Sequence, residues 1–213
     1  MADVPPVSAI ADVAALWGLD GWLTPPLEPV VAASAPTTGR ARTVRLEVAE
    51  QGPGMTKAFE LLSGDLSGQV VVWTGVAAAP GATWGEILSV AAAGRGAVGV
   101  LVDGAVRDVD DMAGVGLPVY AARRAVVGPN GTVHAVEIDV PVTVGDVEIR
   151  PGDTIVIDAG GCARVAGDIA DELLSAAVAY ADGEGALFAA LSAGEPLTTA
   201  YLHKKRAVAA IRR

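Results

Sequence analysis

The spacing of apolar and polar positions divides the chain into two parts that meet near residue 133. In the first part, stretches with helical spacing of apolar side chains alternate with short uncharged runs, as amphipathic helices and buried strands do. Helices are predicted at residues 7–17, 56–62, 84–93 and 109–112, and strands at residues 43–48, 69–74, 98–102 and 118–121. Ser8 is a candidate N-cap of the first helix. Residues 21–39 are predicted to be a connection rich in proline and glycine.

The second part has the period of two that is typical of strands. Residues 133–158 alternate apolar and polar side chains, and turn signals interrupt them at residues 145–146 (GD) and 151–153 (PGD). A β-meander is therefore predicted. Helical patterns follow at residues 168–191 and, with basic side chains, at residues 201–213.

Composition agrees with one folded domain. The chain has 213 residues, enough for one substantial core, and its 52% hydrophobic content with 4% aromatic residues suits an α/β protein packed on small aliphatic side chains. Helix–strand alternation followed by strands predicts a single layered α/β domain over residues 1–213, with a mixed sheet in the first half. Its core is expected at about residues 7–190, and its C-terminal helical tail at about residues 168–213.

Charge and cysteine content limit the partners and the compartment. A net charge of −10 argues against a protein that binds nucleic acid. Cys162, the single cysteine, cannot form an internal disulfide, which indicates a reducing compartment. The N-terminal stretch lacks the pattern of a signal peptide, and no run reaches the roughly 18 apolar residues of a membrane span. We expect a cytoplasmic protein that binds neither nucleic acid nor a membrane.

A glycine pattern at residues 94–99 (GRGAVG) matches the dinucleotide-binding spacing, but in the wrong order. That site needs a strand before the glycines and a helix after them. Here the glycines follow a predicted helix and lead into a strand. Gly94 is therefore interpreted as a helix C-cap, and Gly96 and Gly99 as positions of close packing.

A charged cluster follows the predicted strand at residues 98–102. Asp103, Arg107, Asp108, Asp110 and Asp111 lie within nine positions. Carboxylates favour hard divalent cations, and an arginine beside them can bind a carboxylate or an enolate oxygen. The alternative is an ordinary solvated helix start, whose acids lie near the positive end of the helix dipole.

A second segment favours a site. In residues 83–88 (TWGEIL), Gly85 and Glu86 open a predicted helix, where backbone N–H groups have no intrahelical partner and can bind an anion. Residues 87–106, one helix and one strand, separate Glu86 from Arg107. That length can bring the helix start and the strand end to the same sheet edge.

The order of these residues resembles the signature of the RraA-like family. The pattern is an acid (Glu86), twenty residues, Arg107-Asp108, two residues and a further acid (Asp111). Other segments also resemble the family's sequences: VSAIADVAALWG, GVLVDGAVRDVDDM, GLPVYA and GTVHAVEIDVPVTVGDVEIRPGDTIVID. The resemblance covers most of residues 7–190. The family includes divalent-metal-dependent 4-hydroxy-4-methyl-2-oxoglutarate aldolases, oxaloacetate decarboxylases and the regulator of ribonuclease activity A. The resemblance to this family implies an α/β/β/α-type sandwich fold.

The resemblance also implies a role for each matching residue. Asp108 would be the direct protein ligand of Mg²⁺ or Mn²⁺, while Glu86 and Asp111 would hold metal-bound waters. Arg107 would bind the oxygens of a 2-keto acid substrate and stabilise a pyruvate enolate. The implied activity is retro-aldol cleavage, decarboxylation or both.

Further expectations concern the substrate carboxylate and the assembly. Gly85 and the backbone amides of Ile87 and Leu88 would cradle the carboxylate. The family's homotrimers or homohexamers place the site between subunits, and Glu184 falls closest to the glutamate that a neighbouring subunit contributes through water.

Three segments depart from the family's pattern and predict a shifted substrate. The leading acid is Glu86 where the aldolases usually have aspartate. The acidic strand end is represented by residues 158–161 (DAGG), and residues 49–69 (AEQGPGMTKAFELLSGDLSGQ) differ from the usual approach to the second helix.

Two other functions remain open: a non-catalytic protein that binds and regulates a ribonuclease, and a pathway enzyme that uses the same metal site on a larger substrate. Asp111 favours the enzyme, because in this family the final acid accompanies catalytic members.

The remaining distinctive side chains are interpreted as structural. His134 and His203 are expected on the surface or in packing, and Cys162 in the interior. The tryptophans are assigned to the core, with Trp84 also able to wall the site; they are Trp17, Trp22, Trp73 and Trp84.

Overall fold

The computed structural model describes residues 4–19 and 27–212. The helices in these ranges are α1 (Val7–Leu16), α2 (Thr56–Ser63), α3 (Glu86–Gly94), α4 (Val109–Val115), α5 (Ala170–Ser192) and α6 (Leu197–Ile211). The strands are β1 (Glu28–Val31), β2 (Thr37–Val48), β3 (Gln69–Thr74), β4 (Ala82–Trp84), β5 (Gly99–Val106), β6 (Val119–Arg124), β7 (Val133–Ile138), β8 (Val142–Val144), β9 (Val147–Ile149), β10 (Thr154–Asp158) and β11 (Gly161–Val165). None of these helices combines the length and the apolar character needed to cross a membrane.

Nine of the strands in these described ranges join one mixed sheet, and this arrangement confirms the predicted fold class. Their order is β1-β6-β5-β3-β2-β10-β11, with β4 paired to β5 and β7 paired to β2. The central strands β2, β3, β5 and β6 run parallel, whereas β1, β7, β10 and β11 pair antiparallel with their neighbours. Strands β8 and β9 form a separate hairpin.

The second half differs from the predicted β-meander, because its strands attach to the sheet separately. Strand β10 pairs with β2 at residues 37–40, and β7 pairs with the same strand at residues 44–48. The 12-residue length of β2 leaves room for both partners in succession. The second half therefore extends the sheet of the first half through β7 and the β10–β11 hairpin.

Alternating side chains of the central strands pack into different layers. Val71 and Trp73 join the cluster formed with α2, α3 and α4, while Val70 and Val72 join the cluster formed with the β8–β9 hairpin. This alternation follows from the period of two along a strand. A further cluster joins α1 and α5 to β10 and β11.

Several boundaries differ from the sequence prediction. Strand β2 begins at Thr37, before the predicted residue 43, and β1 lies inside the predicted connection. Helix α3 begins at Glu86, because Trp84 belongs to β4. Ser8 does not cap α1; the carboxylate of Asp158 accepts a hydrogen bond from the backbone N–H of Val7 at 2.8 Å. That partner is 151 positions away, so local sequence does not reveal it.

The glycines at residues 94–99 run from the end of α3 to the start of β5, the order that argued against dinucleotide binding. The C-cap of α3 is Arg95, and the left-handed residue after it is Gly96, with φ +88°, so the C-cap assignment of Gly94 is wrong. Close packing is confirmed at Gly99, where an added Cβ would lie 2.5 Å from Cδ1 of Ile157.

Candidate active site

Two chain segments that are distant in sequence meet at one edge of the sheet. Strands β4 and β5 are parallel neighbours, and the backbone N–H of Arg107 donates to the carbonyl of Trp84 at 3.1 Å. Gly85 follows β4 and Asp108 follows β5, so the two residues face each other. A Cβ added to Gly85 would lie only 2.9 Å from Oδ2 of Asp108. The structure thus brings the predicted helix start and the predicted Arg-Asp pair together.

Asp108 occupies an unusual backbone conformation at the N-terminus of α4. Its φ of +56° and ψ of +44° are left-handed, and its carbonyl accepts the N–H of Met112 at 2.9 Å. Positive φ is uncommon outside glycine, although aspartate and asparagine tolerate it better than most residues. The carboxylate stays accessible, with 40% of the side chain exposed, and Nε of Arg107 lies 3.4 Å from its Oδ2.

The N-terminus of α3 presents free backbone donors to the same place. The first bond within the helix runs from Ser89 to the carbonyl of Gly85 at 3.0 Å, and no side chain caps the helix start. The N–H groups of Ile87 and Leu88 therefore lack intrahelical acceptors and suit an anion. Trp84 fixes this turn, because its indole N–H donates to Oγ of Ser89 at 2.8 Å.

A cavity of about 260 Å³ opens where these segments meet. Arg107 and Asp108 line it together with Thr83, whose buried hydroxyl has no hydrogen-bond partner among the described residues. The other lining residues are apolar and come from α2, β4, α3, the loop before β7 and β7: Met55, Phe59, Ala82, Trp84, Gly85, Ile87, Leu88, Pro129 and Val133.

Glu86 and Asp111 do not line the cavity. Both side chains are exposed, Glu86 in the first turn of α3 and Asp111 in the first turn of α4. Over residues 4–19 and 27–212, no three aspartate, glutamate, histidine or cysteine side chains converge on one point as metal ligands do. A role for Glu86 and Asp111 through water remains a prediction.

The donors at the cavity fit a hard divalent cation held by one carboxylate. Such a cation keeps water or substrate oxygens in its remaining positions. Asp108 is the one carboxylate among the cavity's lining residues, and the absence of a Cβ at Gly85 keeps the space beside Oδ2 open. The roles predicted for these residues are compatible with this geometry.

Glu184 is paired within its own chain. Its Oε1 accepts a hydrogen bond from Nζ of Lys204 at 2.7 Å, and that ammonium also lies 4.9 Å from the ring centre of Tyr180. The bond to Glu184 is the largest cause of the raised pKa of Lys204. Neither α5 nor α6 contributes a lining residue to the cavity. A contribution of Glu184 to a neighbouring subunit's site stays a prediction.

Sequence reasoning missed the residues that form the cavity's apolar walls. Phe59 of α2 and Met55, which immediately precedes that helix, lie within residues 49–69, the segment already distinguished from the family's pattern. Pro129 lies in a loop that is tied to β4 by a bond from Ala82 N–H to the carbonyl of Val127 at 2.8 Å. No local motif marks this loop, because only the fold brings it to the site.

The side chains interpreted as structural are mostly confirmed in that role. His134 is buried, and its Nδ1 accepts the backbone N–H of Gly54 at 3.0 Å. Cys162 is also buried, and burial raises the pKa of its thiol to about 12. Trp73 and Trp84 form a T-shaped pair in the core, with ring centres 5.0 Å apart. Trp22 lies outside the described residues.

Comparisons with known proteins found a matching family model and several relatives. The family model described as "RraA-like: Aldolase/RraA" matches residues 7–163. A protein of Halalkalibacterium halodurans named "Putative 4-hydroxy-4-methyl-2-oxoglutarate aldolase" is 29% identical over 199 residues, covering 93% of this chain and 90% of that protein. For two other curated relatives, the matches cover only 19% and 38% of their own lengths.

Solved structures share the fold. An uncharacterised protein from Pseudomonas syringae pv. tomato superposes with a TM-score of 0.80 at 25% identity, covering 92% of both chains. The RNA-processing inhibitor RraA from Thermus thermophilis superposes with a TM-score of 0.56 at 26% identity, covering 73% of this chain and 91% of that one.

Proposed function

The chain belongs to the RraA-like family, and from this premise we propose that it is a divalent-metal-dependent carbon–carbon lyase acting on a 2-keto acid. The observation that carries the proposal is the meeting of Arg107, Asp108 and the free amides of α3 at one cavity. Aldolase names among the relatives support the same class of reaction.

Different polar groups of the site bind the carboxylate and the keto oxygen of the substrate. The backbone N–H groups of Ile87 and Leu88 receive the carboxylate next to the keto group, since a helix N-terminus favours negative charge. Arg107 provides a fixed positive charge for the keto oxygen, and its contact with Asp108 orients the guanidinium.

Asp108 would hold Mg²⁺ or Mn²⁺ directly, with Glu86 and Asp111 holding water around the ion. When bound, the cation would supply positive charge that stabilises an enolate. Glu86 and Asp111 would orient a water that relays the proton of the substrate's 4-hydroxyl group to one of these two carboxylates.

In the retro-aldol reaction, the C3–C4 bond breaks as the 4-hydroxyl proton leaves. The electron pair of the C3–C4 bond enters the enolate of pyruvate, and C4 becomes the carbonyl carbon of the second product. Protonation at C3 then gives pyruvate. Oxaloacetate loses carbon dioxide by the same movement of electrons and needs no base, so decarboxylation places fewer demands on the site.

Replacing Asp108 by asparagine tests the proposal. Asparagine tolerates the left-handed backbone, so Asp108→Asn removes the charge with little strain. We expect kcat/KM for metal-dependent pyruvate release to fall about 100-fold or more, measured with whichever of 4-hydroxy-4-methyl-2-oxoglutarate, oxaloacetate and a 4-hydroxy-2-keto acid without a second carboxylate the unaltered protein converts. The matched control, Asp110→Asn, removes an exposed acid of α4 outside the proposed site and should keep full activity.

A binding protein that regulates a ribonuclease is the second candidate, because the chain shares its fold with an RNA-processing inhibitor. The same assay separates the two candidates. If neither Mg²⁺ nor Mn²⁺ supports turnover of any 2-keto acid above the level of chelated protein, the lyase proposal is wrong and the binding function is favoured.

The proposal includes a homotrimer or homohexamer in the cytoplasm, with no nucleic acid or membrane as partner. The buried free thiol of Cys162 supports a reducing compartment.

A further inference from the structure

One wall of the cavity is apolar and exposed. Phe59 of α2 and Ile87 of α3 both line it, with 52% and 77% of their surfaces accessible. Met55 continues this wall from the start of α2. Phe59 and Ile87 are therefore largely free to contact a molecule in the cavity.

The cavity offers a single cation among its described lining residues, Arg107. The nearest alternatives are engaged or lie elsewhere. The Lys57 ammonium, also on α2, donates to the carbonyl of Val136, and the Arg123 guanidinium donates to the carbonyl of Ala79. Arg124 lines a second hollow, which Arg107 and Asp108 also line, and it is not among the described lining residues of the cavity.

A substrate with two carboxylates would therefore leave one without a partner. In the proposed binding mode, the first carboxylate binds the backbone N–H groups of α3, and the keto oxygen binds Arg107. A second carboxylate would be partly desolvated against apolar side chains, with no further cation among the described lining residues of this chain to compensate, which is unfavourable. An apolar substituent gains from burial at the same wall.

We propose that the site takes a 4-hydroxy-2-keto acid whose C4 carries an apolar substituent and no second carboxylate, and that this substituent packs on Met55 and Phe59. The inference rests on the lyase function proposed above and narrows its substrate class. Cleavage of such an acid, R–CHOH–CH₂–CO–COO⁻, gives pyruvate and the aldehyde R–CHO, with no oxidant or reductant required.

Binding of unreactive 2-keto acids tests the preference apart from turnover. The probes are 5-methyl-2-oxohexanoate and 2-oxoglutarate, which differ by an isopropyl group in place of the distal carboxylate and lack the 4-hydroxyl group. Titration calorimetry with Mn²⁺ present should give a dissociation constant at least about ten-fold lower for 5-methyl-2-oxohexanoate.

A charge placed on the wall should reverse this preference. Phe59→Lys supplies the missing cation at an exposed helical position. It should strengthen the binding of 2-oxoglutarate and weaken the binding of 5-methyl-2-oxohexanoate, changing the ratio of their dissociation constants by about ten-fold or more. The matched control is Phe188→Lys, the same replacement at an exposed phenylalanine of α5 that does not line the cavity. It should leave the ratio unchanged.

The outcomes separate this inference from the lyase proposal. Preferential binding of 5-methyl-2-oxohexanoate without turnover of any 4-hydroxy-2-keto acid would support the apolar wall and contradict the lyase function. Turnover with tighter binding of 2-oxoglutarate would contradict the wall and support the lyase. If Phe59→Lys changes the oligomeric state but not the ratio of the two dissociation constants, the wall is a subunit contact and the inference is wrong.

Discussion

At the scale of single residues, Gly85 and Asp108 are constrained in different ways. Gly85 has an ordinary extended backbone with φ −172°, so any residue could adopt its conformation. Its constraint is steric, because a Cβ would press on the carboxylate of Asp108 at 2.9 Å. Asp108 has space but an unfavourable backbone conformation, with φ +56°. Such local strain is often found at functional sites.

Gly85→Ala is expected to lower activity much more than stability. The added methyl group would displace the Asp108 carboxylate, a flexible side-chain end, at a cost of about 1 kcal/mol, while a shift of about 1 Å in a reacting group can reduce the rate about 100-fold. The measurements are kcat/KM for pyruvate release and the free energy of unfolding in urea. Gly114→Ala in α4, where a Cβ meets open space, is the control and should keep full activity. Equal activity of the two variants would contradict a catalytic role for this contact.

Among the secondary-structure elements, α5 contains two glycines in different surroundings, one packed against α6 and one in open space. A Cβ at Gly183 would lie 2.4 Å from the Cβ of Ala207 in α6, so the two helices approach closely at this point. At Gly185, two residues later in α5, a Cβ would meet nothing within 4 Å. The ion pair between Glu184 and Lys204 lies beside this contact.

The two alanine variants should change stability in opposite directions. Gly183→Ala is expected to lower the free energy of unfolding by about 1–3 kcal/mol, because overpacking forces α5 and α6 apart. Gly185→Ala should raise it by about 0.5–1 kcal/mol, because alanine favours the helix and has space. Thermal and urea unfolding of both variants measure the difference. An equal or higher free energy of unfolding for Gly183→Ala than for the unaltered protein would contradict the close packing of α5 on α6 at Gly183.

At the scale of the whole molecule, the described cavity is built from α2 to β7, and α5 lies with α1 on β10 and β11. Glu184 does not line the cavity of its own chain, so the role proposed for it requires a neighbouring subunit. Lys204 bonds to its Oε1, which leaves the second carboxylate oxygen for such a role.

Mixed oligomers test this arrangement. Asp108→Asn and Glu184→Gln should each be at least about ten-fold less active than the unaltered protein. If the two residues act across an interface, equal mixtures after subunit exchange should recover about a quarter of the sites, because one site in four receives both unaltered residues. Lys204→Met, which removes the internal partner of Glu184, controls for lost stability alone. Absence of recovery would contradict a shared site.

The sequence determined the periodic elements and the two segments that carry polar chemistry. Periodicity placed β3 without error and α2 and α4 within a few residues, because burial on one face imposes a regular pattern. It also identified the turn at Gly85 and the Arg107–Asp108 pair, since strand ends and helix starts have local signals. The family resemblance added roles for these residues that their spacing alone did not give.

The surroundings of those residues depend on the three-dimensional fold, which local sequence does not specify. The short strand β4 carries Gly85 to Asp108, yet three residues are too few for a periodic signal. The cap of α1 by Asp158 and the walls formed by Phe59 and Pro129 depend on contacts between distant parts of the chain. Local patterns report which face of an element is buried, but long-range packing selects the partner, and here that packing determines how polar and how large the cavity is.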